Sequence, residues 1–233
     1  MPKKIIGIVG GMGPEATADL FLKIIKATPA KKDQDHIRVF IDNNTNIPDR
    51  TKAILGEGDS PLTAMKDTVC KLKQAGAEIL VMPCNTAHYF YNDIATDKEL
   101  TFLHMMKETS SYIKEQYPQA KKIGILATSG TIQSQMYHKA LKANDLIPLE
   151  PSEKDQTKVM DAIYASWGIK AGNYTKSKQY LIEVAQQLIE QGAQALILGC
   201  TEIPLVIKED DLELPIVDAT QVLAEAAVKA AFS

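Results

Sequence analysis

The stretches VMPCNTAHYF (81–90) and LILGCTEIPL (196–205) each run from an apolar strand into a cysteine followed by hydroxyl or amide side chains. In open α/β sheets, ligands sit beyond the carboxyl ends of the strands. Cys84 and Cys200 are therefore expected at two such ends, and the likeness extends outward from them. QAGAEILVMPC matches EQGAQALILGC, with the cysteines 116 residues apart. KIIGIV at 4–9 matches KKIGIL at 121–126, with Gly7 and Gly124 separated by 117. ELTFLH and ELPIVD match again, with Leu100 and Leu214 separated by 114. Three matches in one order at nearly constant spacing predict two homologous halves; two repeats are too few for a solenoid.

Between the matched segments, apolar runs alternate with helical patterns. A glycine turn follows KIIGIV and leads to a helix from about Pro14 to Ala27. IRVFID is a strand, and a helix over PLTAMKDTVCKLKQAG takes Ser60 as its cap and Gly76 as its end. EILVMP is a strand, followed by a helix near Tyr89–Ala95, the strand LTFLHM and the helix MKETSSYIKEQY. The second half runs from KKIGILATSGT through a helix over SQMYHKALKAND and helices near 156–166 and 176–191. QALILG and LPIVD are its later strands, before a last helix. This alternation predicts parallel sheets with helical crossovers. The expected fold class is α/β: two pseudo-symmetric three-layer α/β/α domains with mainly parallel sheets and an interdomain active-site cleft. The seam is read at Gln116–Lys121. The domains are then residues 1–116 with about 219–233, the last helix crossing back, and residues 117–218.

Composition excludes several classes. The 26 basic and 29 acidic residues leave a formal net charge of −3 with no basic run beyond PKK or AKK, so no nucleic-acid footprint is visible. The start MPKKIIGIVGG has an apolar run of only five residues before its glycines, too short for a leader core. No apolar run approaches the roughly 20 residues needed to span a bilayer. Three cysteines, Cys70, Cys84 and Cys200, in such a chain read as free thiols in a reducing, cytoplasmic compartment.

Cys70, in a helix beside Val69 and Leu72, reads as a small buried hydrophobe. Cys84 and Cys200 read differently, because each precedes a helix start whose N–H groups favour a thiolate or a bound carboxylate. Three chemistries fit. Cys84 and His88 have C-x₃-H spacing, but zinc needs three or four protein ligands. GMGPEA at 11–16 satisfies G-x-G-x-x-A after a strand, with Asp42 placed for a ribose, which suggests a nucleotide-dependent oxidoreductase. That reading leaves the repeated cysteines unexplained. The third uses one thiolate as base and the opposite thiol as acid, which inverts a stereocentre.

GIVGGMGPEAT, NIPDRT, PCNTAH, GIKAGN and GCTEIP together resemble the cofactor-independent aspartate/glutamate racemase family, from Ile5 to about Asp218. The resemblance implies an isomerase that interconverts L- and D-aspartate with catalytic cysteines at Cys84 and Cys200. It implies acidic-substrate recognition by Arg50 and Lys170, and a pocket lined by Met12, Asn85, Thr86, Thr131 and Thr201. It also implies no cofactor, no metal and a homodimer, with a small amino acid as the partner molecule. Glu202 is a supporting candidate that either orients Cys200 or begins a helix favourably. Glutamate or broad amino-acid specificity is the alternative within the class; a non-catalytic ligand-binding protein is the alternative outside it.

Overall fold

The computed structural model describes residues 3–233; Met1 and Pro2, the first residues of the start examined for a leader, lie outside the described residues. The chain divides into two compact units. One runs to Glu108 and resumes at Thr220–Ser233, and the other is Thr109–Ala219.

In the first unit the order is β1 (Ile6–Gly10), α1 (Pro14–Ala27), β2 (Val39–Asn43), α2 (Arg50–Leu55), α3 (Leu62–Gln74) and β3 (Ile79–Val81). A 3-10 turn at Thr86–Phe90, α4 (Tyr91–Ile94), β4 (Thr101–Phe102) and the start of α5 (Met105–Gln116) follow. The second unit holds β5 (Lys122–Ala127), α6 (Ser129–Gln133), α7 (Met136–Lys142), β6 (Ile147–Leu149), α8 (Glu153–Tyr164), α9 (Thr175–Glu190), β7 (Ala195–Gly199) and β8 (Ile216–Asp218). The final helix, α10 (Ala219–Ala231), belongs almost wholly to the first unit, where the Lys4 N–H donates to the Ala231 carbonyl at 3.0 Å.

Each unit carries a four-stranded parallel sheet, ordered β2-β1-β3-β4 in the first and β6-β5-β7-β8 in the second. The two orders are the same permutation, so the sequence repeat is a repeat of topology. Every residue of β1, β3 and β7 is buried, as are all but Lys122 in β5. Burial on both faces is what continuous Ile/Val/Leu runs dictate in a helix-covered parallel sheet. The helices supply the matching stripes. In α1, Ala16, Leu20 and Ile24 recur at intervals of four, with Pro14 in the first turn. In α9 the buried stripe is Leu181, Val184, Ala185 and Leu188.

The unit boundary falls within α5, before the expected seam at 116–121. The cause is local bonding: the Ser110 hydroxyl donates to the Ala140 carbonyl at 2.8 Å and Lys114 Nζ to the Asn144 carbonyl at 3.0 Å. Those bonds tie the C-terminal part of α5 to the region of α7. Three elements escaped the sequence pattern. Pro148 masks β6, yet β6 is an edge strand, where proline is tolerated. Helices α2 and α6 span six and five residues, too short for a helical period to show. In α3 the N-cap position is Pro61, and Ser60 Oγ only accepts from the Leu62 N–H at 3.4 Å.

The matched glycines of the two halves do the same packing work. A Cβ at Gly7 would lie 2.7 Å from Leu80 and 2.8 Å from Ala77; one at Gly124 would lie 2.4 Å from Leu196. Overpacking of this kind costs about 1–3 kcal/mol. Gly7→Ala and Gly124→Ala are each expected to lower the urea midpoint by that equivalent while leaving the m-value unchanged.

Candidate active site

The strand order 2-1-3-4 makes the ends of β1 and β3, and of β5 and β7, the points where the chain switches direction across each sheet. Ligands bind at such points. The first unit brings Met12 there after β1 and Cys84, Asn85 and Thr86 after β3. The second brings Thr131 there after β5 and Cys200, Thr201 and Glu202 after β7. All eight are buried.

Around Cys84, the 3-10 turn folds His88 back beneath the cysteine. His88 Nδ1 lies 2.9 Å from the Cys84 carbonyl, and the Met105 N–H donates to His88 Nε2 at 3.2 Å. A backbone N–H can only donate, so Nε2 is the lone-pair nitrogen and Nδ1 carries the proton. Both ring nitrogens are engaged, and His88 is not disposed to complete a metal set with Cys84. Burial, then the neighbouring His104, lowers its pKa to about 3. The imidazole is a neutral brace that fixes the backbone carrying the thiol.

Arg50 is the first residue of α2, with Asp49 as its cap accepting from the Lys52 N–H at 2.8 Å. Its guanidinium reaches back to three carbonyls: Ile47 at 3.0 Å, Pro48 at 2.8 Å and Met12 at 3.3 Å. Its Nε is buried with no hydrogen-bond acceptor, and no carboxylate among the described residues pairs with it. A cation held by carbonyls retains its charge for an incoming anion.

The glycine loop of the oxidoreductase reading has a packing explanation. Gly11 has φ +92°, and a Cβ there would lie 2.3 Å from the backbone of Asn44. Its N–H donates to Thr17 Oγ1 at 2.9 Å, and that hydroxyl donates to the Gly13 carbonyl at 2.9 Å. The loop is closed by Thr17 and by the chain leaving β2.

In the second unit, Cys200 Sγ donates to Glu202 Oε2 at 2.9 Å, and Thr201 Oγ1 donates to the same oxygen at 3.3 Å. Glu202 Oε1 pairs with the ammonium of Lys170, which sits on a 3-10 turn between Gly168 and Gly172 and over the Tyr164 ring. Lys170 was expected as a substrate cation; here its charge is already met by a carboxylate. At Cys200 the expectation of a thiolate favoured by a helix start is not met. Only a three-residue 3-10 turn follows it, and burial, then the negative charge of Glu202, pushes its pKa well up. Tyr137, on α7, packs against the end of β7: a Cβ on Gly199 would lie 3.1 Å from its ring, and burial first, with the charges of Asp218 and Cys200 adding, keeps it a neutral phenol. Thr131 lies in α6, where its N–H donates to the Thr128 hydroxyl at 3.3 Å. Cys70 is free and exposed on α3, correcting its reading as a core residue: it falls on the solvent side of the stripe formed by Met65, Thr68 and Leu72.

Comparison with known proteins gives the class. The profile of the Asp/Glu/hydantoin racemase family matches residues 9–227, and the chain belongs to that family. It is thereby a racemase by class, an isomerase. It is 34% identical over 232 residues to the broad specificity amino-acid racemase of Bacillus subtilis (strain 168), covering 96% of each chain. The solved aspartate racemase of Picrophilus torridus is 32% identical, with TM-score 0.87 over 98% of this chain and 94% of that one. A glutamate racemase of Bacillus anthracis shares the fold at 22% identity and TM-score 0.68, over 98% of this chain and 80% of that one. No helix among the described residues is long and apolar enough to cross a membrane.

The His88 brace has a pH consequence. A histidine whose folded pKa is depressed stabilises the fold above its unfolded value of about 6.5 and loses that contribution as pH falls toward the folded value. For His88, with a folded value of about 3, the loss between pH 7 and pH 5 is about 2 kcal/mol. His104, lowered to about 4 by burial and then Lys107, acts in the same direction. Urea unfolding at both pH values is expected to show this acid loss, and His88→Gln is expected to flatten it.

Proposed function

We propose that the protein racemises an amino acid, aspartate foremost, by moving a proton at Cα between Cys84 and Cys200 without a cofactor. The observation that carries the reading is that each topologically equivalent unit places a buried cysteine just beyond the end of its corresponding strand. One thiolate removes the α-proton; the other thiol delivers its own proton to the opposite face of the carbanion. The two sulfurs exchange charge over one turnover, and the reverse reaction begins from the product state. Met12, Asn85, Thr86, Thr131 and Thr201 are the residues we place around the substrate.

Arg50 supports an acidic substrate, because no carboxylate among the described residues pairs with its guanidinium. A similar protein, from Picrophilus torridus, is an aspartate racemase. A second reading, broad amino-acid specificity, is favoured by a different observation. The charge of Lys170 is neutralised by Glu202, so a neutral side chain meets no unpaired lysine there. The Bacillus subtilis relative is a broad specificity racemase. Assays of purified protein on aspartate, glutamate, alanine and serine, without added cofactor, separate the two readings. Inactivity on every amino acid would overturn both.

Two outcomes follow for variants. Cys84→Ala and Cys200→Ala are each expected to abolish full racemisation, because inversion needs a base and an opposed acid. In deuterated water the intact enzyme is expected to place deuterium at Cα of the inverted product, read by mass spectrometry. Arg50→Leu is expected to lower kcat/KM for aspartate about 10- to 150-fold, the equivalent of one charge-assisted hydrogen bond of about 1.5–3 kcal/mol. The same change is expected to affect alanine much less. Equal losses on both substrates would assign Arg50 to the fold alone.

A further inference from the structure

Helix α8 reaches the end of β5 through two side chains one turn apart, Gln156 and Met160. Gln156 Nε2 donates to the carbonyl of Ala127, the last residue of β5, at 2.9 Å and to Ser129 Oγ at 3.3 Å. The Ser129 N–H donates to Met160 Sδ at 3.2 Å. Ser129 opens α6, the helix of Thr131, so α8 clasps the turn that carries a candidate substrate residue. Two groups of the clasp are left over. Gln156 Oε1 is buried with no hydrogen-bond partner, and the Ser129 hydroxyl has no acceptor for its own proton among the described residues. We propose that Gln156 is a specificity-determining residue whose side-chain carbonyl accepts from the substrate's α-ammonium, while the Ser129 hydroxyl it holds donates to a substrate carboxylate.

The orientation of the amide follows from its partners. A carbonyl oxygen only accepts, so the group facing the Ala127 carbonyl is the NH2, and Oε1 is turned away from it. Swapping the two would set oxygen against oxygen and leave the amide donors without an acceptor there. A buried acceptor without a donor carries a desolvation cost, and native structures keep such groups rare. A ligand N–H removes that cost on binding. The helix borders the site: Val159 and Ile163, further along α8, pack in one core cluster with Leu126 of β5 and with Cys200. The end of β5 is also one of the two at which the chain switches direction across this sheet.

The chemistry selects an α-amino acid. Such a zwitterion offers donors at its ammonium and acceptors at its carboxylate, the complement of one free acceptor and one free donor. A site built to hydrogen-bond a substrate N–H rejects the analogue that lacks it, because its own buried group is then left unpaired. The neutral amide also suits proton removal at Cα. A carboxylate in its place would hold the ammonium more strongly but would add negative charge where the carbanion develops. This role rests on the amino-acid reading of the site and adds to it the group that reads the nitrogen.

Calorimetric titration of the full chain with aspartate and with succinate, which keeps both carboxylates and lacks the ammonium, isolates the contact. Loosening of the clasp weakens both ligands alike and cancels in the ratio of their dissociation constants. Gln156→Met is expected to reduce the preference for aspartate over succinate about tenfold or more, the change that one hydrogen bond to a charged group supports. Ser129→Ala is expected to weaken both ligands and leave the ratio where it was. An unchanged ratio in Gln156→Met would overturn the proposal, as would an intact protein that does not bind aspartate. If circular dichroism shows that Gln156→Met does not fold, Gln156→Asn, which keeps the amide but withdraws it by one methylene, decides on the same ratio. An intact chain that binds aspartate without racemising it would remove the racemase reading and leave the Gln156 contact to be judged by the ratio.

Discussion

Burial of β1, β3, β5 and β7 on both faces is the constraint from which the rest of the architecture follows. A strand covered on both sides has no room for an unpaired polar side chain, because burying one without a partner costs several kcal/mol. The interior of each sheet is therefore Ile, Val, Leu, Ala and Gly. Chemistry is displaced to the carboxyl ends, where the ladder stops and loop backbone becomes available. The shared strand order puts those ends at equivalent places in the two units. The same burial explains Gly7 and Gly124, which let a neighbouring strand's leucine approach the backbone.

The two cysteines share a position in the fold but have different electrostatic surroundings. Cys84 is braced through its own carbonyl by a neutral imidazole, a contact that fixes geometry and carries no charge. Cys200 donates directly from its thiol to the Glu202 carboxylate. The topological repeat is therefore not a chemical repeat. Its asymmetry is lodged in one side chain, Glu202, and in the lysine that accompanies it.

The two cations expected to recognise an acidic substrate differ in the same way. Arg50 spends its donors on the Ile47, Pro48 and Met12 carbonyls, which orient the guanidinium without cancelling its charge. Lys170 is joined to a carboxylate, which does cancel it. A planar guanidinium with several donors can be held in place and still receive an anion. A lysine bound to one carboxylate must leave it, or share it, to receive another.

Much of this was legible in the sequence because it depends on local pattern. Apolar runs, helical stripes and the spacing of QAGAEILVMPC and EQGAQALILGC determine the parallel sheets, the repeat and the strand-end positions of Cys84 and Cys200. What the sequence could not determine depends on partners distant along it. The Lys170–Glu202 pair spans 32 residues, and the Arg50 bond to the Met12 carbonyl spans 38. Neither leaves a periodic trace, since an ion pair constrains two positions and imposes no spacing between them. The state of the Cys200 thiol belongs to this second kind. Burial and the charge beside it decide that state, and both exist only once the chain has folded.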